Sequence, residues 1–264
     1  MGEIIVVTSG KGGVGKTTST ANIGTGLATL GHKVALIDTD IGLRNLDVVL
    51  GLENRIVFDI VDVVNGSCRL RQALIRDKRL EGLHLLPAAQ TKDKTAVNPD
   101  QMRELCAELK KEFDYVIIDC PAGIEQGFRN AIAGAEKAVV VTTPEVSAVR
   151  DADRIIGLLE AADLREPKLI INRIRPKMVR QGEMMSIEDI IDILAVDLLG
   201  IIPEDEMIVI TTNRGEAVVL DQNSRSGQAY RNIVRRILGE DVPIINLDEE
   251  DGFFKKLKRI IGIK

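Results

Sequence analysis

Near the N-terminus a short apolar run, Ile4-Ile5-Val6-Val7, leads into Gly10-Lys11-Gly12-Gly13-Val14-Gly15-Lys16-Thr17, and apolar residues at helical spacing continue from Thr17 to Leu30 before Gly31. The glycine-rich stretch fits G-x-x-x-x-G-K-[ST], a pattern that works only between a strand and a helix. Its consecutive backbone N–H groups and the helix N-terminus must converge on one anion. The anion that fits such a cradle is a nucleotide polyphosphate, with the lysine neutralising charge and the hydroxyl facing magnesium. Gly12, Gly13, Val14, Gly15, Lys16, Thr17 and Thr18 are therefore candidate nucleotide ligands. Lys11 is additional to the pattern, and by itself it reads as a solvated loop cation.

The rest of the chain repeats the strand-then-helix alternation. Lys33 to Asp38, Tyr115 to Asp119, 137–142, 168–172 and 198–202 are short, continuously apolar runs, the pattern of parallel strands buried on both faces. Asn98-Pro99 opens a helix that runs to about Glu112, with Asn as N-cap and Pro at the first helical position. Further helices are expected at about 146–162 and 186–195, where Ser186 with Asp189 has the spacing of a cap. The predicted fold is α/β: a three-layer phosphate-loop NTPase with a twisted, mostly parallel sheet, helices on both faces and ligands at the carboxyl ends of the strands. In 264 residues with 45% hydrophobic content, no linker-like stretch divides the chain. One domain, 1–247, is expected, followed by a tail, 248–264.

Three scattered cysteines, Cys68, Cys106 and Cys120, have no C-x-x-C spacing and are expected to be small core residues of a chain in a reducing compartment. His32 and His84 lie far apart and form no metal or triad pattern, so both are expected to be structural. No secretory leader is expected, because the first apolar run is short and passes straight into the loop. Lipidation at Met1-Gly2 is not expected either, since Val6 stands where Ser or Thr is required.

Acids close the candidate site. Asp119 ends an apolar strand, where phosphate-loop enzymes keep the carboxylate that holds magnesium through water; alone, it would read as a cap or turn residue. Asp38 and Asp40, in Ile37-Asp38-Thr39-Asp40, follow another strand. A carboxylate there can orient an attacking water, although Asp38 reads equally as a solvated turn. Thr17, Asp38, Asp40 and Asp119 form the candidate Mg2+ set.

Lys11 within G-K-G-G-V-G-K-T, Asp40 within I-D-T-D, Asp119 within I-I-D-C-P-A-G and the run Asp38 to Asp47 together resemble the deviant Walker A ATPases, the ParA/MinD family. The similarity spans essentially the whole chain. It implies an ATPase, slow alone and stimulated by a partner, in which ATP closes a homodimer and hydrolysis reopens it. Lys11, Lys16, Asp40 and Asp119 would carry the chemistry, with Lys11 reaching the partner subunit's phosphates. The resemblance places adenine recognition at Asn172 and Arg173, just after one strand, and at Pro203, Glu204 and Asp205, just after another. It puts Asn45, Asp151 and Asp153 on the dimer or partner face, the last two read as opening a helix. Implied partners are a MinC-like division inhibitor and a MinE-like stimulator. DNA-partitioning and flagellar-number relatives of the same family are the alternatives. An electron-transfer iron protein on this scaffold is disfavoured, because Gln126 occupies its cluster-cysteine position.

Charge separates the tail from the body. Of the 35 Lys and Arg, 30 lie in residues 1–251 with all 40 acids, a net of −10, whereas the last thirteen residues hold five cations and no acid. An acidic body argues against a DNA partner. In the tail, Phe253, Phe254, Leu257, Ile260 and Ile261 recur at helical spacing, with Lys255, Lys256, Lys258 and Arg259 between them. A cationic amphipathic helix of this kind suits an anionic membrane interface and is too short to span one. The same pattern also fits a helix docked on its own domain or a peptide-like target segment. The expected location is cytoplasmic and peripheral on the inner face of the cell membrane.

Overall fold

The computed structural model describes residues 2–93 and 95–245. Eight strands form one sheet: β1 (Glu3–Thr8), β2 (Val34–Asp38), β3 (Ile75–Arg76), β4 (Leu83–Leu86), β5 (Tyr115–Asp119), β6 (Lys137–Thr142), β7 (Lys168–Ile174) and β8 (Leu198–Pro203). Their order is β3-β4-β2-β5-β1-β6-β7-β8, parallel throughout except for the β3–β4 edge pair. The continuous apolar runs are explained by burial on both faces. Ile4 and Val6 of β1, Val116 and Ile118 of β5, and Ala138 and Val140 of β6 pack into one core; Ile5, Val7, Ile117, Val139 and Val141 pack into the other.

Helices α1 (Lys16–Thr29), α2 (Leu46–Leu50), α10 (Glu206–Asn213) and α11 (Arg225–Ile237) belong to the second face. Helices α3 (Ile60–Val64), α4 (Leu70–Ala73), α5 (Pro99–Leu109), α6 (Gln126–Ala133), α7 (Val146–Ala161), α8 (Pro176–Arg180) and α9 (Ile187–Leu194) cover the first. The expected caps form: Asn98 accepts from the Gln101 N–H at 3.0 Å with Pro99 at the first helical position, and Ser186 Oγ accepts from the Asp189 N–H at 3.0 Å. Helix α5 stops at Leu109, one turn before the expected Glu112.

Cys106 and Cys120 are buried and Cys68 half-buried, all as free thiols. His32 and His84 stand edge-on to Tyr115 and Phe113, which accounts for both as packing residues. Among the described residues no helix is long and apolar enough to cross a membrane. The tail, with Phe253, Phe254, Lys255, Lys256, Leu257, Lys258, Arg259, Ile260 and Ile261, lies outside the described residues, as does the proposed domain boundary at 247.

Candidate nucleotide site

The loop between β1 and α1 sits beside the centre of the sheet, where connections diverge to either side of β1, the usual ligand position in a parallel α/β fold. Gly13 and Gly15 adopt left-handed backbone, φ 78° and 100°, which turns successive N–H groups inward. Lys16 opens α1 and is only 8% exposed. A buried ammonium at a helix N-terminus is an adverse arrangement unless anions are close by.

Two such anions come from the sheet. Asp38 and Asp119 are direct neighbours in the β2–β5 register and both are buried. Asp119 Oδ1 accepts from the Thr20 hydroxyl at 3.2 Å, and the Thr17 hydroxyl also bonds its carboxylate. Burial, and then the charge of Asp38, push the Asp119 carboxyl up to about 7, against the opposing pull of Lys16, Thr17 and Thr20. Burial also raises Asp38, although three backbone N–H groups favour its charged form: Asp40 at 2.9 Å, and Asn45 and Leu46 at 3.1 Å each. Asp38 is thus no solvated turn. It ties the 40–45 loop and the start of α2 to the sheet.

Two neighbouring buried carboxylates with Lys16 as the nearby cation carry an excess of negative charge, and they are hard oxygen donors beside the Thr17 hydroxyl. The residues fit magnesium. Among the described residues no cluster of three or more His, Cys, Asp or Glu could hold a metal alone. The fit is to an ion that takes its remaining oxygens from water and phosphate, as magnesium does.

Lys11 lies at the exposed rim. Its Nζ donates to Glu145 Oε2 at 3.3 Å and to Ser147 Oγ at 3.2 Å, at the start of α7. With side-chain exposures of 43% and 61%, this pair is worth about 0–1 kcal/mol, so Lys11 can be exchanged to another anion at little cost. Asp151 and Asp153 do not open α7, as the sequence suggested. Both lie in its second turn, too far along for a dipole role. Asp151 instead presses on the loop, since a side chain at Gly10 would come within 2.3 Å of the Asp151 carbonyl oxygen. Asn45 and Asp153 are exposed, and Asp40 is half-exposed.

Of the five candidate adenine positions, Glu204 and Asp205 follow a strand as expected, whereas Asn172, Arg173 and Pro203 lie inside one. Asn172 and Arg173 lie within β7, at a break in its register with β8, and not beyond the strand. Asn172 is buried; its Nδ2 donates to the Val14 carbonyl at 2.8 Å and its Oδ1 accepts from the Arg173 N–H at 2.9 Å. It clamps the phosphate loop. Arg173 is exposed with φ 58°. Pro203 is the last residue of β8, Glu204 holds a two-pronged ion pair with Arg175, one bond at 2.8 Å, and Asp205 caps α10 while accepting from Ser224 Oγ at 2.8 Å and Ser226 Oγ at 2.9 Å. A cleft of about 430 Å³ beside Pro203, Asp205 and Met207 has room for a base.

Sequence reasoning missed Glu145, Ser147 and Thr20. Glu145 follows β6 in Thr-Thr-Pro-Glu, a strand-end acid with the same signature as Asp119, and Thr20 lies one helical turn after Thr17 on the sheet-facing side of α1.

Fold and loop define a phosphate-loop nucleotide-binding protein carrying a second loop lysine. The CobQ/CobB/MinD/ParA nucleotide binding domain model matches residues 5–218. The septum site-determining protein MinD of Bacillus subtilis (strain 168) is 59% identical over 267 residues, covering 100% of both chains. Among solved structures, the Aquifex aeolicus MinC:MinD cell division protein complex matches with a TM-score of 0.87 and 52% identity, over 92% of this chain and 99% of that one. The MinD protein of Pyrococcus horikoshii OT3, complexed with Mg-ADP, matches with a TM-score of 0.82 and 33% identity, over 90% and 96%. The chain belongs to the MinD branch of the MinD/ParA family of nucleotide-binding proteins.

Proposed function

We propose that this chain is an ATP-dependent, membrane-associated ATPase that takes part in selecting the division site. The observation that carries the reading is the division of labour between two loop lysines: Lys16 buried in its own cradle, Lys11 at the rim in a weak, exchangeable contact. Two cradles each holding a triphosphate and magnesium repel one another. A lysine delivered from each subunit to the other's phosphates turns that repulsion into attraction and favours the triphosphate state over the diphosphate. Lys16, Thr17 and the N–H groups of Gly12 to Thr18 hold the phosphates, Asp119 and Thr17 would hold Mg2+ with Asp38 beside them, and Asp40 orients water. The ion, when bound, supplies charge neutralisation at the phosphates. Its fit to these oxygens is consistent with the Mg-ADP bound to the P. horikoshii relative.

A single tail of six apolar and five basic residues is a weak anchor once the cost of ordering it is included. Two tails on one dimer gain about 10²- to 10⁴-fold where geometry permits, so nucleotide state sets membrane residence. The A. aeolicus MinC:MinD complex supports a MinC-like division inhibitor as the recruited partner. A MinE-like protein, or another stimulator acting at the dimer face, would accelerate hydrolysis and release the dimer.

Co-sedimentation with phosphatidylglycerol-containing vesicles tests this reading. The full chain should pellet with ATP and with a non-hydrolysable analogue at least tenfold more than with ADP. Deleting residues 252–264 should abolish pelleting and leave ATP binding intact. Equal pelleting with all three nucleotides would rule out the switch.

A further inference from the structure

Helix α2 has only five residues, and both of its ends are pinned by side chains from outside the helix. Its N-terminus hangs on Asp38, as described above. Its C-terminus meets Arg79, in the turn between β3 and β4. The Arg79 guanidinium donates from Nη2 to the Leu50 carbonyl at 2.9 Å and from Nη1 to the Gly215 carbonyl at 2.9 Å. It is aimed by Asp77, 3% exposed, whose Oδ2 accepts from Nη2 at 3.1 Å and whose Oδ1 accepts from the Arg79 N–H at 2.7 Å. Leu50 ends α2 and Gly215 follows α10, so one planar cation bridges the two helices. Beneath the bridge the backbones touch. Gly51 and Gly215 both have left-handed backbone, φ 66° and 67°, and a Cβ at 215 would stand 2.5 Å from the Gly51 Cα.

This arrangement has a consequence at the phosphates. The 40–45 loop, with Asp40 and Asn45, is strung between β2 and α2, and two of Asp38's three donors are the N–H groups of Asn45 and Leu46 at the helix start. A short helix released at one end can rotate or fray, because nucleation of so few residues is unfavourable without tertiary anchors. The phosphate loop itself is held separately, by α1, Asn172 and Asp151. At its other end α10 is capped by Asp205, next to the cleft that has room for the base.

We propose that Arg79 is a positioning residue for ATP hydrolysis: by clamping the end of α2 to the turn after α10 it fixes the Asp40-bearing loop against the nucleotide, without touching the nucleotide itself. The inference rests on the ATPase reading above and adds to it a residue on the far edge of the sheet, remote in sequence from every motif of the site.

Arg79→Lys is the informative variant, because lysine keeps a cation beside Asp77 yet cannot span two carbonyls with a planar fork. Gly215→Ala opens the same contact from the opposite side. ATP affinity, measured with a fluorescent analogue, should change less than about threefold in either variant, because the phosphate cradle is intact. At saturating ATP, kcat per titrated site should fall about tenfold or more. Amide hydrogen exchange should accelerate in residues 46–51, and not in α1. Arg71→Lys, in the exposed Arg71–Glu112 pair, serves as a control and should match the parent. Wild-type kcat with unchanged exchange in both variants would overturn the assignment. So would affinity and kcat falling in parallel with thermal stability, the mark of a merely structural role. If the parent itself hydrolyses no ATP, the proposed function fails, and the exchange at 46–51 still decides whether Arg79 fixes α2.

Discussion

Gly15→Ala should cost the protein its nucleotide affinity by roughly thirty- to several-thousand-fold. At φ 100° a Cβ is disfavoured by about 1–2 kcal/mol. It would also stand 2.2 Å from Asn172 Nδ2. That amide has nowhere to go: it is 3% exposed and bonded to the Val14 carbonyl, so yielding leaves a buried acceptor unpaired at a further cost of about 1–3 kcal/mol. The sum, about 2–5 kcal/mol, converts to the stated range when the loop relaxes in the free protein and must be restored on binding. Gly13→Ala separates the two costs. Its φ is 78°, but a Cβ there meets nothing within 4 Å, so only the backbone penalty applies. Titration with a fluorescent ADP analogue should rank the parent above Gly13→Ala and Gly13→Ala above Gly15→Ala. Equal losses at the two glycines would show that the Asn172 clamp contributes nothing.

Asp119→Asn should sharply reduce magnesium-dependent hydrolysis and, in the ligand-free protein, raise stability at neutral pH. The folded-state pKa, about 7, is above the ordinary carboxyl value of 3.8, chiefly through burial and secondarily through Asp38. The folded protein therefore keeps a proton between about pH 4 and 7 that the unfolded chain gives up. Stability is favoured below that window, declines as pH rises through it, and stays at its lower level above pH 7. Asparagine cannot ionise, so its curve lacks this decline. Thermal unfolding without nucleotide or Mg2+ should show the variant gaining on the parent by about 2–4 °C or more between pH 5 and 7.5, the shift expected for about 1 kcal/mol in a domain of this size. A gap that does not change with pH would mean that Asp119 is already ionised at pH 5. Hydrolysis should fall by about a hundredfold or more, because phosphoryl transfer depends on electrostatics that an amide cannot supply.

Much of this molecule could be read from its residues, for identifiable reasons. The central strands are continuous apolar runs because both faces of the sheet are covered, and the loop announces itself because phosphate binding demands glycine where the backbone turns left-handed. The edge was less readable. In β4, half-buried His84 interrupts the apolar run, and β3 is two residues long, so neither shows a clear periodicity. Helices α2, α3 and α4 have four or five residues each, less than two turns, and pattern alone does not resolve them. Helix α11 did carry a signal, Ala229, Tyr230, Ile233 and Val234 on one face, diluted by a Ser-Gly start and four arginines.

The site divides the same way. Asp119 and the loop are local motifs, whereas the Asn172 bond to Val14 joins residues 158 apart in sequence, a contact that no local pattern encodes. Lys11 is the instructive case. Its position in the loop was evident, but its resting partner, Glu145, depends on how β6 delivers α7 to the rim.

The account turns on Lys11 being the cation that a second subunit receives. Light scattering on a size-exclusion column, with the parent and Lys11→Ala each loaded with a non-hydrolysable ATP analogue, measures this directly. The parent should elute at twice the mass of its ADP form while Lys11→Ala stays at the mass of one chain, with nucleotide still bound through Lys16. A Lys11→Ala protein that pairs as the parent does would contradict the account.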